Sequence, residues 1–403
     1  MEIKTRRVMR TLAAVLLAAL ALGGLPLGAG AAGPPLELLV QPADGVSIDS
    51  INDCYGTTAL GAIPALGIYK LAGDAESLQA MQADVAIAHV AANTLVEPME
   101  MQRRDFGTGS SYDFAAIRSD QVSGTRYFQQ WPLIRLRVAQ AQRVADGAGV
   151  TVAVVDTGVD LNHPALAERL VAGYDFVEGD AEPDDSANGL DDDQDGVVDE
   201  GAGHGTHVAG IVTLVAPQAR LMPVRVLDSE GVGSYFDIVA GIVYAAEHGA
   251  QVINLSLGGT HDAAFLHAAV EYALGKGALV VAAAGAYQVD YPARYAGVIS
   301  VGATTMRGQP AEFSDFDEGQ VTVYAPGVSI YSTYFDGGYA WWTGTSMATA
   351  FVAGEAALLR SVAGCEQACA AAAIAEQSRP VVPTPDADRR VDVFSALRAA
   401  IRE

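Results

Sequence analysis

Lysine and arginine are scarce, 24 in 403 residues against 48 aspartates and glutamates, which gives a formal net charge of −24. A balance this acidic argues against nucleic acid or an anionic membrane as partner, because both are bound through cations. It fits a soluble exported protein. Cysteine is scarcer still. Cys54, Cys365 and Cys369 are too few for a disulfide scaffold and lack zinc spacing. Cys365 and Cys369 are close enough to bridge in an oxidising compartment, and equally read as two small buried residues on a helix. Cys54 has no evident partner. The long apolar run near the N-terminus, Thr11–Leu27, is marginal for a membrane span. Hydrophobic residues still make up 50% of the chain, enough for a sizeable core in one large domain or two ordinary ones.

Residues 1–32 read as a signal peptide. Lys4, Arg6, Arg7 and Arg10 form a charged start, Thr11–Leu27 an apolar centre, and Ala29-Gly30-Ala31 a small-residue cleavage site. Arg6-Arg7 leaves both ordinary secretion and twin-arginine export open. The expected location is secreted or extracellular, the cell envelope and periplasm included, with no stable membrane span in the mature protein.

The segment 33–97 reads as a small α+β unit. Leu36–Val40, Leu66–Leu71 and Val85–Val90 have strand character, Glu76–Met81 looks helical, and Gly56–Pro64 is rich in turn residues. A unit of this size is marginally stable by itself and is expected to pack on something larger. The polar stretch 98–129 has linker composition. From 130 to 403 the pattern changes. Continuous apolar runs at Val150–Val155, Leu221–Leu227, Val252–Leu257, Ala278–Ala284 and Val298–Val301 alternate with helical segments. Runs of this kind are strands buried on both faces, and the alternation predicts a three-layer α/β domain with a mostly parallel sheet.

Between Asp175 and Glu200 stand twelve carboxylates and no lysine or arginine. Asp191, Asp193 and Asp195, then Gly196, the Val197 carbonyl and Asp199 match the first part of an EF-hand-type loop. Its twelfth position falls on Ala202, so the bidentate glutamate is missing. Structural calcium is the expected cofactor, with a solvated acidic loop as the alternative; no organic cofactor is implied.

Three polar residues stand where chemistry collects. Asp156 ends the run Thr151–Asp156, at the strand end where open α/β sheets bind and react. Its bland reading is a turn cap. His204 opens a helical segment, and with His207 could be read as a zinc pair, but no third ligand has a recognisable spacing. Ser346 follows Gly344-Thr345 at the start of the helical run Met347–Leu359. By itself it reads as a helix cap. A helix start also offers unpaired N–H groups to a nucleophile that builds an oxyanion. The order Asp156, His204, Ser346 is that of the subtilisin arrangement.

At these residues the chain resembles the subtilisin-like serine proteases. The motifs are Val154-Val155-Asp156-Thr157-Gly158-Val159, His204-Gly205-Thr206-His207-Val208-Ala209-Gly210, Val252-Ile253-Asn254-Leu255-Ser256-Leu257-Gly258 and Gly344-Thr345-Ser346-Met347-Ala348. The resemblance spans roughly 130–400, and the unit before it is similar to the family's propeptide. It implies a monomeric serine endopeptidase acting on peptide or protein substrates and inhibited by its own propeptide. Ser346 would be the nucleophile, His204 the base and Asp156 its orienter. Gly231, Gly233, Ser256, Leu257 and Gly258 would flank the substrate strand. Ala283 and Gly285, with neighbouring alanines, would wall a first pocket suited to apolar or aromatic side chains. Asp228 and Glu230 would add a weak preference for basic residues further along. The Tyr291–Pro292 bond would be cis.

One departure bears on activity. The oxyanion hole would comprise the Ser346 backbone N–H and an asparagine amide, but Ala286 replaces the asparagine. The resemblance therefore implies a slow peptidase. Its rival is a catalytically silent domain that binds peptides or an envelope partner, and a purely structural calcium module explains the acidic loop but not the triad.

Overall fold

The computed structural model describes residues 35–96, 117–118, 124–314, 320–380 and 389–402. The segment read as a signal peptide and most of the expected linker lie outside these residues. The valine- and alanine-rich runs are strands of one nine-stranded sheet, in the order Arg379–Pro380, Arg389–Arg390, Val323–Pro326, Ile299–Thr304, Leu279–Ala283, Val252–Leu255, Thr151–Asp156, Arg220–Arg225, Tyr174–Asp175. Every neighbouring pair is parallel except Arg379–Pro380 with Arg389–Arg390. The central strands are buried throughout, which is why they show no alternation. Their register is level: Val155 and Ala282 both stand opposite Leu255. Asp156, Ser256 and Ala283 therefore leave the sheet at one edge.

Helices cover both faces. His204–Val215 and Thr345–Arg360 cross on one side, and Tyr235–Glu247 and Ala264–Gly275 pack together on the other. Thr345–Arg360 is buried along its length except at Arg360, an apolar central helix with no solvent face. Its close approach to the His204 helix requires Gly354, where a Cβ would stand 2.6 Å from Val215 Cβ. Cys365 and Cys369 form a disulfide just beyond it, and Cys54 is free and exposed. No described helix is long and apolar enough to cross a membrane.

The N-terminal unit is a four-stranded antiparallel sheet, Thr58–Ile63, Ile68–Gly73, Leu36–Pro42 and Ile87–Ala92 in spatial order, with helices Ile48–Tyr55 and Ala75–Gln82. The first helix and the first strand of that order were not expected. Gly56 and Gly61 read as turn punctuation. Yet Thr58–Ile63 is held by pairing with Ile68–Gly73, bulged at Ala59/Gly61, and Gly61 gives room to the Phe236 ring, 3.1 Å from where a Cβ would be. Side chains alternate: Leu38 and Val40 pack on the unit's own helices, while Leu39, with Ile63 and Ile68, joins the cluster around Val224 and Val239 of the large domain.

The large domain takes up its chain before residue 130. Ile117–Arg118 pairs with Ala340–Trp341, and Gly124–Phe128 is helical. Tyr127 is fully buried, its hydroxyl donating to the Gly210 carbonyl at 2.6 Å. The Gln130 amide ties Tyr127 O to Tyr331 O at 3.0 and 2.7 Å.

Candidate active site

Asp156 and His204 meet at the sheet edge. His204 Nδ1 lies 2.6 Å from Asp156 Oδ1, and both residues are fully buried. The same oxygen accepts the Thr157 N–H at 2.8 Å. Facing a carboxylate, Nδ1 carries the proton, which leaves Nε2 as the basic nitrogen in the neutral ring.

A second carboxylate holds this pair together. Asp185, 3% exposed, accepts the Gly203 N–H at 2.8 Å, the Thr206 N–H at 2.9 Å and the Thr206 hydroxyl at 2.6 Å. It also accepts the Thr157 hydroxyl at 3.1 Å, and the Gly205 N–H donates to that hydroxyl at 2.9 Å. The His204 helix has glycine at its cap position and no capping side chain of its own, so Asp185 caps it from a distant loop. Burial pushes the Asp185 carboxyl up to about 6 against the opposing pull of these donors.

Trp342 stands edge-on between two imidazoles, 5.1 Å from His204 and 5.6 Å from His207 by ring centres. His207 is a structural histidine. Its Nε2 reaches the Ile330 and Ala340 carbonyls at 3.2 and 3.3 Å. Burial, and then the charge of His204, lower its pKa to about 3. Among the described residues neither histidine belongs to a cluster able to hold a metal.

Ser346 opens the central helix and is fully buried. Its hydroxyl donates to the Ser256 carbonyl at 3.1 Å, and the Ser256 hydroxyl donates to the Ser346 carbonyl at 3.1 Å. The Asn254 amide fixes the Ser256 hydroxyl at 2.9 Å. Beside it, Ala286 is 6% exposed with its methyl in the core. The Thr345 hydroxyl accepts the Gly285 N–H at 3.2 Å and donates to the Gly285 carbonyl at 3.3 Å, so it braces this loop. Tyr287 points outward, 44% exposed.

The end of the N-terminal unit pairs with the large domain. Leu95–Val96 pairs antiparallel with Gly233–Ser234, and the Tyr235 N–H donates to Thr94 O at 3.0 Å. Asn93 Oδ1 accepts the Phe236 N–H at 3.0 Å. Val96 is 6% exposed and lies against Gly259 beside Tyr235. Gly231 turns just before this strand, and Ser256, Leu257 and Gly258 run on from Val252–Leu255, all buried. Gly259 and Tyr291 exchange backbone hydrogen bonds at 2.9 Å, and the Tyr291–Pro292 bond is cis.

Residues 147–374 match the family model described as the subtilase family, Peptidase_S8. The chain belongs to the subtilase family. It is 44% identical to thermitase of Thermoactinomyces vulgaris over 240 residues, 56% of this chain and 80% of thermitase. Subtilisin Savinase of Lederbergia lenta is 41% identical over 243 residues, 57% of this chain and 83% of that protein. Among solved structures, fervidolysin from Fervidobacterium pennivorans, a keratinolytic enzyme related to subtilisin, superposes with a TM-score of 0.72 at 25% identity. That match covers 91% of this chain and 61% of fervidolysin. The subtilase is accordingly a serine endopeptidase with a subtilisin-like fold.

In the acidic loop of this subtilase, Asp191, Asp193 and Asp195 bring carboxylate oxygens within 4.8 Å of one another. Asp193 does the same with Glu200 and Glu230. Asp199 is otherwise engaged: its two oxygens accept the Asn188 and Gly189 N–H groups at 2.8 Å each. Asp199 thus closes the loop, and Glu200, one residue on, faces the acidic cluster. Glu230 does not add charge to the groove. It is 2% exposed, accepts the Asp192 N–H at 3.1 Å, and faces Glu200, whose pKa is raised to about 7 by burial and then by its contact with Glu230. Asp228 is spent on its own turn, accepting the Glu230 and Val232 N–H groups.

Sequence reading missed Asp185, Trp342, and Glu230 as part of the acidic cluster. Asp185 sits among twelve carboxylates with no motif to single it out. Trp342 stands four residues before Ser346.

Proposed function

We propose that this subtilase is a secreted endopeptidase, made as a zymogen, that hydrolyses peptide bonds through Asp156, His204 and Ser346. Ser346 Oγ attacks the scissile carbonyl and forms the new C–O bond. His204 Nε2 receives the hydroxyl proton and returns it to the leaving amine. Asp156 holds the imidazole by Nδ1 and offsets the imidazolium charge. The Ser346 N–H, at a helix start, donates to the oxyanion; Ala286 offers no side-chain donor, so the enzyme is slow. Val252–Gly258 and Gly231–Gly233 take an extended substrate as an added strand. The 2.6 Å contact between His204 and Asp156, in a fully buried pair, carries this reading.

The N-terminal unit is read as the inhibitory propeptide because its end already lies in the groove as a strand on Gly233–Ser234. Calcium is read into the acidic loop. The donors suit a hard cation, and Glu230, 2% exposed, has an Oε2 with no hydrogen-bond partner. Asp191, Asp193 and Asp195 would hold the ion with Glu200, Glu230 and the Val197 carbonyl. The ion would supply the positive charge that the loop lacks, and so order the chain leading to His204. The mature enzyme is read as a monomer.

Ala286 favours a second reading, a silent peptide-binding domain. Wild type and Ser346→Ala separate the two. Fluorophosphonate labelling, peptide hydrolysis and shortening of the secreted chain in wild type only are expected. Identical behaviour of both proteins would establish the silent reading.

A further inference from the structure

The two segments read as walls of the first substrate pocket are joined by a buried acid. One wall is Ala283–Gly285, the other Ser256–Gly258, and each ends in a glycine. Asp290 is packed between those glycines: a Cβ on Gly285 would stand 2.4 Å from Asp290 Oδ2, and one on Gly258 would stand 3.5 Å from Asp290 Cβ. The backbone fixes this placement. Asp290 N–H donates to Ala284 O at 2.8 Å on one wall, and Tyr291 pairs with Gly259 beside the other. Gln288 Nε2 donates to Asp290 Oδ1 at 3.0 Å and orients the carboxylate. Asp290 is 1% exposed. Its charge is felt at the groove, where it contributes, after burial and Asp262, to raising the Tyr235 hydroxyl pKa.

Such a group selects. An aromatic or aliphatic side chain entering the pocket would shut the carboxylate further from water and give it nothing in return. An ammonium or guanidinium meets it as a charge-assisted partner, the guanidinium with two parallel donors. The alanines along the wall suit the methylene stem of such a side chain. We propose that Asp290 determines specificity in the first pocket and that this subtilase cleaves after lysine or arginine. This rests on the peptidase reading and departs from the apolar preference that the alanines alone suggest. In the sequence between Val96 and Ile117, the basic residues are Arg103 and Arg104, so the chain carries a matching pair ahead of the large domain.

The test is a peptide series identical except for Arg, Lys, Gln, Phe or Leu before the scissile bond, assayed with wild type and Asp290→Asn. Wild type is expected to favour Arg and Lys over Phe and Leu by tenfold or more in kcat/KM. Asp290→Asn is expected to lose at least tenfold on Arg and Lys while holding or improving on Phe and Leu. A wild-type preference for Phe or Leu, or an equal loss on all five peptides, overturns the proposal. If wild type is as inert as Ser346→Ala, the peptidase reading fails, and the pocket is then judged by calorimetry with benzamidine on Ser346→Ala. Binding that disappears on adding Asp290→Asn supports a cation pocket; no binding, or binding indifferent to Asp290, overturns it.

Discussion

Ser346 and Ser256 hold each other by two hydrogen bonds, each hydroxyl donating to the other's carbonyl at 3.1 Å. The start of the central helix is thereby locked to the strand that borders the groove. In the proposed mechanism the nucleophile and the substrate wall would share one rigid frame, as a site built on regular elements requires. The same logic governs the other half of the site, where the frame is a carboxylate.

Asp185→Asn keeps the size of that carboxylate but presents an amide to four inward-pointing donors. An unsatisfied buried group costs about 1–3 kcal/mol, roughly fivefold to 150-fold in rate if it falls on the His204 geometry. Expected is a fall in kcat of that order with KM little changed, because Asp185 touches no part of the groove. In wild type the acid limb of activity should carry a contribution near pH 6, where Asp185 protonates on acidification. That contribution should vanish in the variant. A loss of thermal stability with unaltered kcat and pH profile would reduce Asp185 to a helix cap.

In the proposed mechanism Ala286→Asn supplies a side-chain donor where the oxyanion would form. Removing one such donor from a subtilisin costs about 2.7–4 kcal/mol. A gain of about tenfold or more in kcat is expected, with KM nearly constant because the donor acts in the transition state. Equal rates for wild type and Ala286→Asn would mean that another donor already fills the hole.

Calcium is expected to raise the melting temperature of the Ser346→Ala protein over its value in chelator. An ion that binds only the folded state stabilises it by about 2.7 kcal/mol at one hundred times its Kd. Glu230→Gln should shrink that rise, since Glu230 enters the cluster from outside the loop. An unchanged melting temperature in millimolar calcium leaves a solvated acidic loop.

Glu355, fully buried on the central helix, has a pKa pushed up to about 8 by burial and then by the charge of Asp392. Unfolded, it ionises near its ordinary 4.5. Below that pH both states are protonated. As pH rises from about 4.5 to 8 the unfolded chain alone loses its proton, so this residue makes the fold progressively less stable. Glu355→Gln should match wild type at pH 4 and exceed its melting temperature increasingly up to pH 8, both in the Ser346→Ala background. A constant difference across that range would show that Glu355 does not titrate as described.

The sequence by itself determined the frame. Unbroken valine- and alanine-rich runs that alternate with helical segments point to doubly buried parallel strands, and strand ends in such sheets are where reactive groups collect. Asp156 stood out at such a strand end, and the family motifs singled out His204 and Ser346 with it as the candidate triad. Thr58–Ile63 was not legible, because Gly61 within it reads as a turn until the partner strand and the Phe236 ring explain it. What only the tertiary structure decided were relations between segments with no common pattern. Asp185 reaches across 18 residues to cap a helix that begins with glycine. Glu230 crosses 38 residues to reach the acidic loop. Asp290 packs between Gly258 and Gly285, 32 and 5 residues before it. A buried carboxylate takes its meaning from the donors and charges that folding brings around it, and the chain order does not record those distances.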